Sequence, residues 1–138
     1  MPVGTTLALW LLAANVASYF YDYAGRAESG ESAAMAREML VEPDRYRVYF
    51  LTSPRYDPNH GSVLYIAYGV TATNLREPNL ADFKPPPDDG KGTLILALDH
   101  RQADLRTLQG RLPGGSEQRV NAPNGRLMYI SYRVPPRR

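Results

Sequence analysis

Asp99-His100-Arg101 sets an acid, an imidazole and a guanidinium directly behind the apolar run "TLILAL" at 93–98. A continuous apolar run of that length is the pattern of a strand buried on both faces. In open α/β sheets, ligands bind at the carboxyl ends of such strands. A second strand-like stretch, Tyr46 to Thr52, is followed by Ser53 and Arg55. If the two strands are parallel neighbours, their ends converge. Asp99, His100, Arg101, Ser53 and Arg55 are therefore the candidate ligand-binding residues. The most reactive version would be a small enzyme using Asp99 and His100. The plainer alternative is that Asp99 caps a helix and His100 faces water.

Other chemistries lack their residues. The chain has no cysteine, which excludes thiolate zinc sites, thiol nucleophiles and disulfide scaffolds. His60, in "DPNHGS", reads as a turn residue. No His-x-x-x-His pair and no acid cluster with metal-loop spacing is present, so no metal is expected. "GKGT" at 90–93 lacks the strand and spacing of a phosphate-binding loop. There is no G-x-S-x-G elbow either. Asp88-Asp89 sits beside prolines and reads as solvent-facing. These absences leave no cofactor to name. The net charge is +2, and the positive residues are scattered from Arg26 to Arg138 with acids between them. A nucleic-acid binder would gather them on one stripe, so no nucleic-acid partner is expected.

The elements that must position the candidates follow from periodicity. "ESGESAAMAREMLVEPDR" predicts a helix over 31–41, capped by Ser29 or Gly30 and ended by Pro43, with Met35, Ala36, Met39 and Leu40 on its apolar face. Tyr46–Thr52 is a strand. Residues 62–68 predict a short helix in which Val63, Ile66 and Ala67 share a face, and a strand follows over 70–75. "REPNLADFKPPPDDGKG" is a loop. After the 93–98 strand, Asp99 at the N-cap with Gln102 three residues on suggests a capping box, and Leu105, Leu108 and Leu112 form an inner stripe. The C-terminus reads as a hairpin around Asn124-Gly125, a dipeptide that favours positive φ. In its second strand Met128, Ile130, Tyr132 and Val134 face one way; Leu127, Tyr129, Ser131 and Arg133 face the other. The fold class is α/β: a layered sandwich with a central mixed β-sheet flanked by helices and a C-terminal β-hairpin.

The N-terminus behaves differently. No charge occurs from Met1 to Tyr21, and no basic region precedes the apolar stretch, which argues against a secretory signal. Leu7 to Ala14 is apolar around the whole helical circumference, as in segments buried in protein or lipid. From Asn15 onward Ala13, Val16, Ala17, Phe20 and Ala24 form a stripe that Gly25 would end. The expected organisation is an apolar N-terminal helix over 1–24, the end of a membrane span, and a soluble α/β domain over 25–138. Ten tyrosines suit a membrane-interface belt, although strand packing accounts for Tyr46, Tyr49, Tyr129 and Tyr132.

In order, "NVASYFYDYA", "AAMAREML", "YRVYFL", an apolar strand, "LRTLQGRLPGG" and "EQRVNAPNGRLMYISYRV" resemble the C-terminal extracytoplasmic domain of multi-pass bacterial glycosyltransferases of the family-39 type. These are relatives of the protein mannosyltransferases and aminoarabinose transferases. The likeness covers nearly the whole chain. It implies an accessory domain on the extracytoplasmic side of a bacterial cell membrane, serving sugar transfer from a polyprenyl-phosphate donor. Its partners would be the membrane part of the same polypeptide or the membrane surface, with contact to the lipid-linked sugar or the acceptor. The family's catalytic acids lie in the membrane part, so none is carried over. The alternative is a self-contained small α/β ligand-binding or interaction domain, with Leu7–Phe20 as a core or dimer helix.

Overall fold

The computed structural model describes residues 3–18, 29–75, 80, 83–84, 86 and 89–136. The chain divides into two compact units, 1–30 and 31–138. The first contains helix α1, Val3–Ala17. Its large apolar side chains are exposed on every side: Leu7, Leu9, Trp10, Leu11, Leu12 and Val16 are each between 48% and 66% accessible. Ala13 and Ala17, of the expected stripe, are exposed as well. Phe20, Ala24 and Gly25 lie outside the described residues. Asn15 folds its amide back on the helix and donates from Nδ2 to the Leu11 carbonyl at 2.9 Å. With 15 residues, α1 is about 22 Å long, short of the ~30 Å hydrocarbon core. Among the described residues, no helix is long and apolar enough to cross a membrane.

The remaining elements are α2 (Ser29–Met39), β1 (Tyr46–Leu51), α3 (Gly61–Ile66), β2 (Ala72–Asn74), β3 (Gly92–Ala97), α4 (Gln102–Arg111), β4 (Ser116–Asn121) and β5 (Leu127–Val134). Short 3-10 turns at Pro54–Tyr56 and Asp99–Arg101 follow β1 and β3. The strands form one open sheet in the order β2-β1-β3-β5-β4. β1 is parallel to both β2 and β3, while β5 is antiparallel to β3 and β4. The fold is thus the expected α/β arrangement around a mixed sheet with a C-terminal hairpin.

Strand alternation divides the core into two layers. On one face Val48, Phe50, Leu94, Leu96 and Tyr129 pack against Met35, Ala36 and Met39 of α2 and Val63 of α3. On the other, Leu51, Ile95, Ala97, Ile130 and Tyr132 pack against Leu105, Leu108 and Leu112. All six residues of β3 are buried, as its unbroken apolar run requires. Ion pairs hold α2 to β5 and its turn: Glu31 with Arg126 at 2.6 Å and Glu38 with Arg133 at 2.7 Å. The Tyr129 hydroxyl donates to the second Glu38 oxygen at 3.1 Å. Burial and the Glu38 carboxylate push the Tyr129 phenol well above its ordinary pKa, which keeps it a donor.

Five local expectations are corrected. Helix α2 already includes Ser29 and Gly30, so neither is its cap. It stops at Met39, which leaves Leu40 41% exposed and off the apolar face. Asp99 does not cap backbone; its Oδ1 accepts from the Gln102 side chain at 2.8 Å, and a 3-10 turn precedes α4. In the hairpin, Gly125 has φ 82° but Asn124 does not have positive φ. Pro123 fixes a negative φ at the first central position, which gives a type I turn followed by a left-handed glycine. The Gly125 N–H donates to Ala122 and the Ala122 N–H to Arg126, both at 2.8 Å. Near this turn the β4–β5 register slips between Val120 and Asn121. The slip puts Met128 with the Tyr129 layer and Leu127 with the Ile130 layer, the reverse of simple alternation.

Candidate functional site

At the carboxyl ends of β1 and β3 the expected neighbours do meet. The strands pair in parallel with Leu51 beside Ala97. The Leu98 N–H donates to the Leu51 carbonyl at 3.2 Å, and Arg101 Nη1 donates to the Thr52 carbonyl at 3.2 Å. Arg101 Nε also pairs with Asp104. Thr52 is buried and its hydroxyl donates to the Tyr56 carbonyl at 2.7 Å. Asp99 and His100 are exposed, and Asp99 is engaged by Gln102. The backbone of Ser53 accepts from the Tyr56 N–H at 3.0 Å. The Arg55 side chain lies outside the described part. Of the five candidates, Arg101 and Ser53 serve local structure, and His100 has no partner among the described residues. His60, as expected, belongs to a turn: its Nδ1 accepts from the Ser62 N–H at 3.3 Å at the start of α3.

The larger feature lies at the opposite end. A cleft of about 620 Å³ opens at the amino ends of the three parallel strands. Each of those strands is preceded by a tight turn, and each turn lends residues to the cleft. Before β1, the Arg45 N–H donates to the Glu42 carbonyl at 3.1 Å, which places Pro43 and Asp44 at the centre of a turn. Before β2, the Val70 N–H donates to Ala67 at 3.0 Å, and Gly69 takes φ 82° inside that turn. A side chain at Gly69 would strain that geometry. The turn swings Tyr68 outward, and it is 89% exposed. Before β3, Asp89 accepts from the Lys91 N–H at 3.1 Å across Gly90, whose φ is 76°.

The strands supply the inner wall. Tyr46 has Arg45 and Arg133 over its ring, with centroid distances of 6.0 Å and 5.9 Å. Arg47 pairs with Asp89. Desolvation pushes the Asp89 carboxyl up, but the Lys91 N–H and the Arg47 guanidinium outweigh it and hold the pKa below its ordinary value. Burial pushes the Tyr49 phenol up, with Arg47 opposing, so Tyr49 stays protonated. Its ring meets Phe83 edge-on at 5.6 Å. Thr71 and Thr73 expose their side chains beside it.

Sequence reasoning missed these residues. One signal was available: in the short helix, Tyr65 and Tyr68 fall off the face shared by Val63, Ile66 and Ala67. They are indeed 88% and 89% exposed. No group of His, Asp and Glu able to hold a metal occurs among the described residues. The fold and cleft define an α/β domain with an open mixed sheet. No family model, curated protein or solved structure matches the chain.

Proposed function

We propose that this chain is the extracytoplasmic, non-catalytic α/β domain of a membrane glycosyltransferase, held at the bilayer through α1 and accessory to sugar transfer from a lipid-phosphate donor. The observation that carries the membrane half is the surface of α1. Six large apolar side chains are exposed around its full circumference. A helix apolar all round belongs in protein or lipid. The Asn15 amide bonded to the Leu11 carbonyl suits the same surroundings, where a polar group must find an internal partner. The glycosyltransferase half is supported by the resemblance noted above and by the element order α-α-β-α-β-β-α-β-β. The membrane part of such an enzyme would supply the chemistry.

Liposome flotation of the full chain tests the membrane half. The chain should float with vesicles, and Leu9→Glu/Leu12→Glu should stay at the bottom with its α/β domain still folded, because both positions are exposed. A wild-type chain that stays at the bottom overturns it. The second reading, a self-contained binding module, is favoured by the cleft.

A further inference from the structure

We infer that the cleft at the amino ends of β1, β2 and β3 is a binding site for a neutral saccharide. Among the described residues, the cleft is lined by two cations, Arg47 and Lys91, and by two carboxylates, Asp44 and Asp89. Arg47 and Asp89 already neutralise each other. A site for a phosphate or another anion would carry a positive surplus, and the described residues here supply none. What remains is a mixture of donors and acceptors: the Lys91 ammonium, the Asp44 carboxylate and the Thr71 hydroxyl. A polyhydroxylated ligand offers both donors and acceptors and satisfies such a set without net charge.

Tyr68, 89% exposed, and Leu40, 41% exposed, both line the cleft. Held out in water in the lining of a polar cavity, both are available to a ligand. A pyranose ring has one apolar C–H face and hydroxyl edges, so it can lie on a tyrosine while its hydroxyls reach polar side chains. Tyr68 is placed for this by its turn, whose Gly69 has φ 82°. The wall behind is fixed, since Arg45 and Arg133 brace Tyr46. A fixed wall lowers the ordering cost of binding. The volume, about 620 Å³, falls within the usual range for small-ligand sites.

This inference rests on the accessory reading for its biological setting, a domain serving sugar transfer, and it names the ligand class of that domain. The test uses the full chain in a detergent without sugar headgroups, with amide NMR as readout. The probes are neutral hexasaccharides of glucose, of mannose and of N-acetylglucosamine, with inorganic phosphate as the anionic control. At least one saccharide should give saturable shifts in the Tyr68–Thr73 segment, and phosphate should give none. Tyr68→Ala should weaken that binding by about tenfold or more, and Asp44→Asn should weaken it too. Both positions lie in exposed turns, so the amide spectra of the variants should otherwise be unchanged. Saturable phosphate shifts at Lys91, or no response to any of the three saccharides, overturns the inference. Saccharide binding without flotation would uphold the cleft and sink the membrane reading; flotation without saccharide binding would do the reverse.

Discussion

The parallel strands β1 and β3 end in two different ways. At their carboxyl ends most polar groups are spent on one another, although Arg101 Nη2 and the exposed His100 have no partner among the described residues. Arg101 bridges Asp104 and the Thr52 carbonyl, and the Thr52 hydroxyl closes onto Tyr56. At their amino ends, three turns hold Asp44, Tyr68 and Lys91 around a cleft of about 620 Å³. The carboxyl end is where ligands bind in many open α/β sheets. That rule concerns adjacent parallel strands whose connections leave to opposite faces, and β1 and β3 meet it, with α3 on one face and α4 on the other. Their carboxyl ends are nevertheless filled by the Arg101 and Thr52 contacts and by the 3-10 turns that follow. The turns before the strands, rather than the loops after them, enclose the space. Strand direction alone therefore does not locate a site; the connections must also leave polar groups unspent.

The strongest way to break this contrast is to disturb the wall of the open end. Gly92 pairs with Tyr46. A Cβ at Gly92 would lie 2.5 Å from the Val134 carbonyl oxygen and 2.7 Å from two atoms of the Tyr46 ring. The carbonyl belongs to backbone and cannot step aside cheaply. Gly92→Ala should therefore cost about 3 kcal/mol in urea unfolding, the upper end of ordinary overpacking. It should also displace Tyr46. A loss within about 0.5 kcal/mol would mean that the wall is not rigid.

The closed end should respond less. Arg101→Ala removes the donor to the Thr52 carbonyl and leaves Asp104 without its cation. The expected loss is about 2 kcal/mol, typical of a partly buried hydrogen bond to a charged group. Saccharide response at Tyr68 should be unchanged. His100→Ala, one residue away but exposed, should stay within about 0.5 kcal/mol. Equal losses at both positions would show that the carboxyl end is not knitted through Arg101.

The parts that were legible in the sequence are those set by local pattern. "TLILAL" reads as a buried strand because apolar continuity needs both faces covered, and all of β3 is buried. Leu105, Leu108 and Leu112 read as a stripe because helical spacing puts them on one face, and they fill one core layer. Where a pattern rests on one residue, a neighbour can override it. Asn124-Gly125 suggested two positive φ values, but the proline before them fixed a type I turn. The cleft was not legible at all. Asp44, Tyr68 and Lys91 come from three turns, and only the parallel registers Tyr46–Gly92 and Val48–Ala72 bring those turns side by side. Each turn alone looks like ordinary solvent-facing loop.

The gentlest probe of the contrast is acid. Asp89 sits at the rim of the open end, where solvent screens its pairing, so its effect on stability should be small. Its carboxyl is held below the ordinary value of 3.8, with desolvation opposed by the Lys91 N–H and Arg47. A depressed folded-state pKa stabilises the fold above the unfolded value, and that contribution disappears as pH falls through the folded value. The window is thus below 3.8, well outside neutral conditions. Carboxyl NMR should show an Asp89 midpoint below 3.8 in the native chain. Arg47→Met should move the midpoint upward, while Arg101→Ala at the other end should leave it in place. A midpoint that ignores Arg47 would detach Asp89 from the cleft wall. The cleft would then hold a separate cation and acid, still neutral in sum but each open to a charged ligand.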